Sequence, residues 1–191
     1  MTFSAVILAG GKSLRMGRDK AWLAVGSQRL LARQIELVRA AGAAEIFISG
    51  RADTDYVELG RRVLRDQFSN AGPLAGIERA LTAAASPLLL VLAVDLAAMS
   101  VELLRRLAAA CATNVGVVPR VNGNLEPLAA FYPKSTHALA VEQLERGNFA
   151  VKDFAERCVQ GEFNRFIELT TSEANNFANW NSPADVIQTT R

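Results

Sequence analysis

Phe3-Ser4-Ala5-Val6-Ile7-Leu8-Ala9-Gly10-Gly11-Lys12-Ser13-Leu14-Arg15-Met16-Gly17-Arg18-Asp19-Lys20 is the stretch of this 191-residue chain from which its fold can be read. Its first six residues are an apolar run with the length of a β-strand. The rest packs three glycines and four basic side chains into the loop that follows. Glycines let the backbone approach a ligand and turn its N–H groups inward, and clustered Lys and Arg neutralise anionic oxygens. A polyphosphate suits such a loop, although a solvated basic turn would have the same composition.

Outward from this stretch, short β-rich runs alternate with amphipathic helical runs. Strands are predicted at Phe3–Leu8, Glu45–Ser49, Arg62–Leu64, Leu88–Val94, Val115–Pro119 and Pro127–Tyr132. Helices are predicted at Gln28–Ala41, with Leu30, Leu31, Ile35 and Val38 on one face, at Leu74–Ala84 and at Val101–Ala110. Ala41-Gly42 and Ser86-Pro87 are consistent stop signals. Helical runs at Ser135–Arg146 and Val151–Cys158, a short apolar piece at Phe163–Leu169 and a helix from Ser182-Pro183 complete the chain. This is the pattern of a Rossmann-like three-layer α/β/α fold with a mostly parallel sheet, read as one domain over 1–191. In such sheets the ligand crevice lies at the carboxyl ends of the strands, so residues just after strands deserve the closest reading.

Composition narrows the function classes. Lys plus Arg (21) nearly cancel Asp plus Glu (19), leaving +2, and no aromatic-interleaved basic surface suggests nucleic-acid binding. Cys111, Cys158 and the lone His137 are too few and too scattered for a zinc site or a disulfide framework; the cysteines read as small core residues and His137 as an exposed helical residue. The N-terminus lacks the basic region of a signal peptide, and the longest apolar stretch, Pro87 to Val94, stops at Asp95, short of the roughly 20 residues that span a bilayer. A cytoplasmic protein without membrane partners is expected.

Two phosphate loops are excluded by spacing. A Walker A loop requires glycine where this chain has Val6, and the G-x-G-x-x-G of dinucleotide binders is missing, which argues against a redox Rossmann enzyme. The loop instead resembles the opening of nucleotidyltransferases with a glycosyltransferase-A-like fold, L-A-G-G-x-S-x-R-M-G-x-D-K, with every fixed position filled from Leu8 to Lys20. Asp66 with Gly72-Pro73-Leu74-Ala75-Gly76, Asp95, and Asn179-Trp180-Asn181-Ser182-Pro183-Ala184-Asp185 resemble further blocks of these enzymes, in the same order. Within that group, Gly10-Gly11 and Asp19-Lys20 most resemble the molybdenum cofactor guanylyltransferases (MobA family), whereas cytidylyl relatives typically carry alanine at the place of Gly10.

The resemblance implies a nucleotide-diphospho-sugar transferase type of fold and the transfer of GMP from GTP to the phosphate of molybdopterin, with release of pyrophosphate. It implies GTP and molybdopterin as substrates, Mg2+ as cofactor, and transient contact with proteins that deliver molybdopterin or with molybdoenzymes. By the same resemblance, Leu8, Ala9, Gly10 and Gly11 lie against the nucleotide, Arg15 and Lys20 hold phosphate oxygens, and Asp66, Gly72 and Pro73 contact the nucleotide. Asp95 binds the metal, and Asn179 and Asn181 complete its water shell or hold the acceptor phosphate. Such chemistry needs charge neutralisation and in-line positioning more than a protein nucleophile, which suits a chain with one histidine.

The chain departs from the family at two places. Asp95 is followed by Leu96-Ala97 instead of an apolar residue and proline, and Ser49-Gly50-Arg51-Ala52-Asp53 lacks the usual asparagine. Locally, Asp95 also reads as a turn or cap residue, Asp66 as a loop cap, Gly72-Pro73 as a turn entering a helix, and Ser182-Pro183 with Asp185 as a helix start. On the acceptor side, Arg120, Gly123-Asn124-Leu125-Glu126-Pro127 and Arg146-Gly147-Asn148-Phe149 with Lys152 read equally as contacts and as ordinary turns. The competing functions are a cytidylyl- or sugar-1-phosphate nucleotidyltransferase and a non-catalytic nucleotide sensor.

Overall fold

The computed structural model describes residues 1–10, 22, 24–25, 28–50, 56 and 59–177. Its main sheet has the strand order β10-β7-β9-β6-β1-β4-β5: Asn164–Glu168, Gly116–Val121, Ala129–Pro133, Leu88–Ala93, Phe3–Leu8, Glu45–Ser49 and Arg62–Leu64. β8 (Asn124–Leu125) folds back antiparallel on β7. β1 is central and pairs in parallel with β4 on one side and β6 on the other. The chain winds outward from β1 to β4 and β5, then returns across β1 to β6, which makes β1 the switch point, the place where sheets of this kind bind ligands at their carboxyl end.

Every residue of β1 and β6 is buried, because both sheet faces are covered. Alternation along the strands sorts the two layers. Phe3, Ala5 and Ile7 of β1 and Leu88, Leu90 and Leu92 of β6 pack with helices α1 (Leu30–Ala41) and α3 (Val101–Ala110). Val6, Leu8, Leu89 and Val91 face the other way, toward α2 (Pro73–Ala83), α4 (His137–Glu145) and α5 (Val151–Gln160). α1 ends on Gly42, whose φ of 104° suits a residue without Cβ, and Ser100 caps α3 by accepting from the Leu103 N–H at 3.2 Å.

The three-layer fold and its six expected strands are present, with differences of physical interest. Gln28–Arg29 form a two-residue strand (β3) paired with Ala24–Val25 (β2), so α1 starts two residues later than its apolar periodicity suggests. β9 runs antiparallel between β6 and β7, a direction that an apolar run cannot encode. The apolar piece near Phe163 is strand β10, and a short helix α6 (Thr171–Ala174) follows it, closed by a capping box from Thr170 and Glu173. Cys158 in α5 and Cys111, one position past the end of α3, are both buried core residues as expected; both are unpaired thiols, with burial pushing them up to about 12 and about 11. His137 opens α4 as a partly buried residue, its Nε2 lying 2.8 Å from buried Glu78 Oε1 and 2.9 Å from Thr82 Oγ1. Among the described residues no helix is long and apolar enough to cross a membrane.

Candidate active site

The candidate site is built where β1, β4 and β6 end. The N–H groups of Ala9 and Gly10 both donate to the Ser49 carbonyl, at 2.7 and 3.1 Å, and the Val94 N–H donates to the Leu8 carbonyl at 3.1 Å. These bonds carry the sheet past its formal end, and Gly10, Gly50 and Asp95 then leave it side by side. Gly10 is exposed, and among the described residues a Cβ built on it would meet only ordinary contacts, 3.7–3.9 Å from Ser49 and Gly50 backbone. Among the described residues nothing therefore requires glycine at that position.

Gly50 is different. A Cβ there would lie 2.4 Å from the ring of Tyr56, which is buried and stacks on Trp22 at 6.0 Å, with the Arg29 guanidinium 4.5 Å from the Trp22 centroid. The departure from the family pattern after β4 thus has a steric cause: the backbone makes room for an aromatic ring. Nothing in the strand and helix periodicity flags Tyr56 or Trp22, since each lies between regular elements.

After β5 the chain passes Asp66 and enters α2 through Gly72 and Pro73. Gly72 has φ 66° and ψ −158°, a region that is essentially reserved for glycine, and Pro73 occupies the first helical position, where its missing N–H costs nothing. The first turn of α2 consequently presents backbone N–H groups, favourable for an anion, at the same edge as Gly10. Gly76, one turn further, lets α2 approach β4 closely; a Cβ there would fall 2.2 Å from Ser49 Oγ. Ser49 in turn donates a hydrogen bond to Asp66. Loss of hydration pushes the Asp66 carboxyl above its ordinary range; the Ser49 bond opposes this, the Glu78 carboxylate adds to it, and Arg79 opposes it.

Asp95 sits half-buried in the turn between β6 and α3, flanked by buried Val94 and Leu96. Gln34 of α1 reaches this turn: its Nε2 donates to the Val94 carbonyl at 3.3 Å and to the Leu96 carbonyl at 2.9 Å. Sequence reading passes over Gln34, although a polar residue on the apolar stripe formed by Leu30, Leu31, Ile35 and Val38 is the signal that would have found it. Leu8, Ala9, Gly10, Asp66, Gly72, Pro73 and Asp95 thus all belong to segments at the carboxyl edge of the sheet. Gly11, Arg15, Lys20, Asn179 and Asn181 lie outside the described residues.

On the acceptor side the structure gives several candidates ordinary duties. Arg120 pairs with Glu168 and lies 5.1 Å over the Phe166 ring, Arg146 pairs with Glu142, and Asn148 accepts from the Ala150 N–H while bonding Asp153 at the start of α5. Lys152 is exposed. Glu126 is half-buried beside β7, its N–H on the Pro119 carbonyl, and burial raises its carboxyl.

This geometry can be set beside known proteins. The MobA-like NTP transferase domain matches residues 5–160. The chain belongs to that family. Over 185 residues, covering 95% of this transferase and 92% of its relative, it is 38% identical to a probable molybdenum cofactor guanylyltransferase from Opitutus terrae. Its backbone is similar to molybdopterin-guanine dinucleotide biosynthesis protein A from Archaeoglobus fulgidus, with a TM-score of 0.72 and 22% identity over 98% of this chain and 96% of that one. It is also similar to 2-C-methyl-D-erythritol 4-phosphate cytidylyltransferase from Thermus thermophilus, with a TM-score of 0.68 and 19% identity over 96% and 95%. The transferase is therefore a nucleotidyltransferase, and its fold alone does not select the base.

Proposed function

We propose that this transferase moves GMP from GTP to the phosphate of molybdopterin, in the cytoplasm and with Mg2+, and meets the proteins that deliver molybdopterin or receive the product only transiently. The observation that carries the choice of base is Gly10. Among the described residues nothing opposes a Cβ there, so the glycine would serve what lies against it, and the larger space would suit a purine. The 38% identity with a probable guanylyltransferase over nearly the full length supports the same reading.

An acceptor phosphate oxygen attacks the α-phosphorus of GTP, the new O–P bond forms as the bond to the β-phosphate oxygen breaks, and pyrophosphate leaves with that electron pair. Asp95 would hold the magnesium ion. The donor set fits: magnesium takes one or two carboxylates and completes its shell with water and substrate phosphates, so one strand-end aspartate suffices. Among the described residues no group of three or more His, Cys, Asp or Glu converges, as a dedicated protein cage would require. When bound, the ion would neutralise charge on the phosphates. The first turn of α2, with Arg15 and Lys20, would hold phosphate oxygens, and Asp66 would accept from a donor on the base. Asn179 and Asn181 would complete the metal's water shell or hold the acceptor phosphate.

Thermal shifts with GTP, CTP, ATP and UTP, with and without Mg2+, test base and metal together, since a ligand selective for the native state raises its apparent stability. GTP with Mg2+ is expected to give the largest shift, and an equal or larger one with CTP overturns the guanylyl assignment. Gly10→Ala sharpens the test: stability should stay within about 0.5 kcal/mol. kcat/KM for GTP should fall about tenfold or more, the effect of one methyl group in a shaped pocket. Unchanged GTP kinetics in this variant would remove Gly10 as the determinant of the base.

A further inference from the structure

We propose that Gln34 is the positioning residue of the Asp95 turn: its buried carboxamide clamps the backbone on both sides of Asp95 and so sets where that carboxylate stands. The proposal rests on the reading of Asp95 as metal ligand. Its geometric part is independent of that reading. Gln34 is 1% exposed and belongs to the face of α1 otherwise given to Leu30, Leu31, Ile35 and Val38. Packing alone would place an aliphatic residue there, because burying an amide is costly unless its groups are bonded.

Both amide protons have a use, one on the Val94 carbonyl and one on the Leu96 carbonyl. Val94 and Leu96 are buried and lie past the end of β6; the Val94 carbonyl is reached from α1, and the Leu96 carbonyl accepts both from α1 and from the Met99 N–H at 3.1 Å. The amide has one workable orientation. Turning it over would set Oε1 against two carbonyl oxygens, and as it stands Oε1 is buried with no partner among the described residues. A side chain that leaves its own acceptor unsatisfied while spending both donors on the residues before and after Asp95 is explained by what those donors hold.

The turn needs such a clamp. Within it, the Leu96 N–H reaches the Ala93 carbonyl at a long 3.4 Å, the backbone is closed at 3.1 Å only further on, by the Met99 N–H on the Leu96 carbonyl, and Leu96-Ala97 offers no proline to fix φ. Gln34 supplies from a neighbouring helix the restraint that the turn's own sequence lacks. A ligand carboxylate displaced by an ångström misaligns the metal against the phosphates, an error that costs catalysis far more than it costs substrate binding.

Gln34→Met keeps length and volume and removes both donors. In the purified full chain, three readings are expected. Amide exchange at residues 94–97 accelerates. Mn2+ affinity of the GTP complex, read from the EPR signal of free Mn2+, weakens about tenfold, while metal-free GTP binding stays within about twofold. With GTP and molybdopterin, kcat falls about tenfold or more with KM for GTP little changed. Unchanged exchange at 94–97, or unchanged Mn2+ affinity together with unchanged kcat, overturns the proposal. So does a loss of kcat and GTP binding in equal proportion, the mark of general damage. Should Gln34→Met fail to fold, Gln34→Asn is read instead; one methylene shorter, it cannot reach both carbonyls, and its Mn2+ affinity should be weakened relative to wild type, with wild-type affinity overturning the proposal. Failure of the functional reading looks different: wild-type protein would show neither Mn2+ affinity nor turnover, while the exchange result at 94–97 would still hold.

Discussion

The turns after β5 and β6 each carry an aspartate to the same edge of the sheet, and they are built in opposite ways. After β6 the protein fixes the backbone: Val94 and Leu96 are buried, and Gln34 takes both their carbonyls. After β5 the chain is exposed and the protein acts on the side chain, with Ser49 donating to Asp66 while loss of water and the nearby Glu78 raise its carboxyl. A clamped backbone suits a group that must stand at one point relative to a hard cation. A carboxylate whose proton affinity is tuned by its surroundings suits hydrogen-bond recognition of a neutral donor, where charge state matters more than placement to a fraction of an ångström.

The largest effect that would break this comparison is at Asp95. Asp95→Asn would exchange the charged oxygen of the proposed metal ligand for a neutral one and is expected to lower kcat by on the order of a hundredfold or more, with stability changed by less than about 1 kcal/mol. Near-wild-type turnover at saturating Mg2+ would move the ligand elsewhere.

Asp66→Asn comes next. It should cost GTP about tenfold in kcat/KM, the loss of one charged hydrogen-bond acceptor, and should narrow the difference between GTP and CTP. Stability should respond in the other direction. Because the folded-state pKa of Asp66 is raised, the stability tied to its proton is complete below the ordinary aspartate range, around pH 4, and is lost as the pH rises through the higher folded value. The substitution should therefore raise the Tm at pH 7, and the gain should vanish below about pH 4. A Tm that falls equally at both pH values would show that the carboxylate stabilises the loop instead.

Gly76→Ala links the two turns and gives the smallest effect on catalysis. Its Cβ would fall 2.2 Å from Ser49 Oγ, so Ser49 or α2 must move, at a cost of about 1–3 kcal/mol in stability by denaturant titration. The bond that holds the Asp66 carboxyl down is lost as well. The acid limb of the pH profile for kcat/KM with GTP should shift upward, and the Mn2+ affinity assigned to Asp95 should stay as it is. A change in Mn2+ affinity would mean that the two turns are not independent.

Much of this was legible in the sequence, for a physical reason: strands covered on both faces are nearly continuous apolar runs, so Phe3–Leu8 and Leu88–Ala93 announce themselves, and the glycine loop locates the crevice at the end of the first. The contacts that define the site are of another kind. Gln34 stands within an apolar periodicity that counts only its hydrophobic neighbours, and its partners, Val94 and Leu96, lie about 60 residues away and contribute only backbone carbonyls. Gly50 is glycine because of the Tyr56 ring, a steric fact with no signature in spacing. His137 reads as exposed until α2 brings Glu78 and Thr82 against it.

The antiparallel position of β9 bears on how the chain is made. By the time Ala93 has emerged from the ribosome, β5, β4, β1 and β6 can pair as a parallel unit, but the far edge of β6, Leu88–Leu92, has no neighbour until β9 arrives with Ala129–Pro133. About 40 residues separate Ala93 from Pro133, so at a synthesis rate of about 5–20 residues per second an uncharged leucine edge stays open for a few seconds. Such an edge is a template for pairing with another chain. Within the finished sheet the ladder between β7 and β9 registers one residue pair, Val117 with Phe131, and the junction is tied further by Asn164 Nδ2 donating to the Phe131 carbonyl at 2.7 Å. The last stitch of the sheet therefore comes from a residue made some thirty positions after the strand it secures, whereas the open β6 edge belongs to nascent chains that end between Ala93 and Ala129.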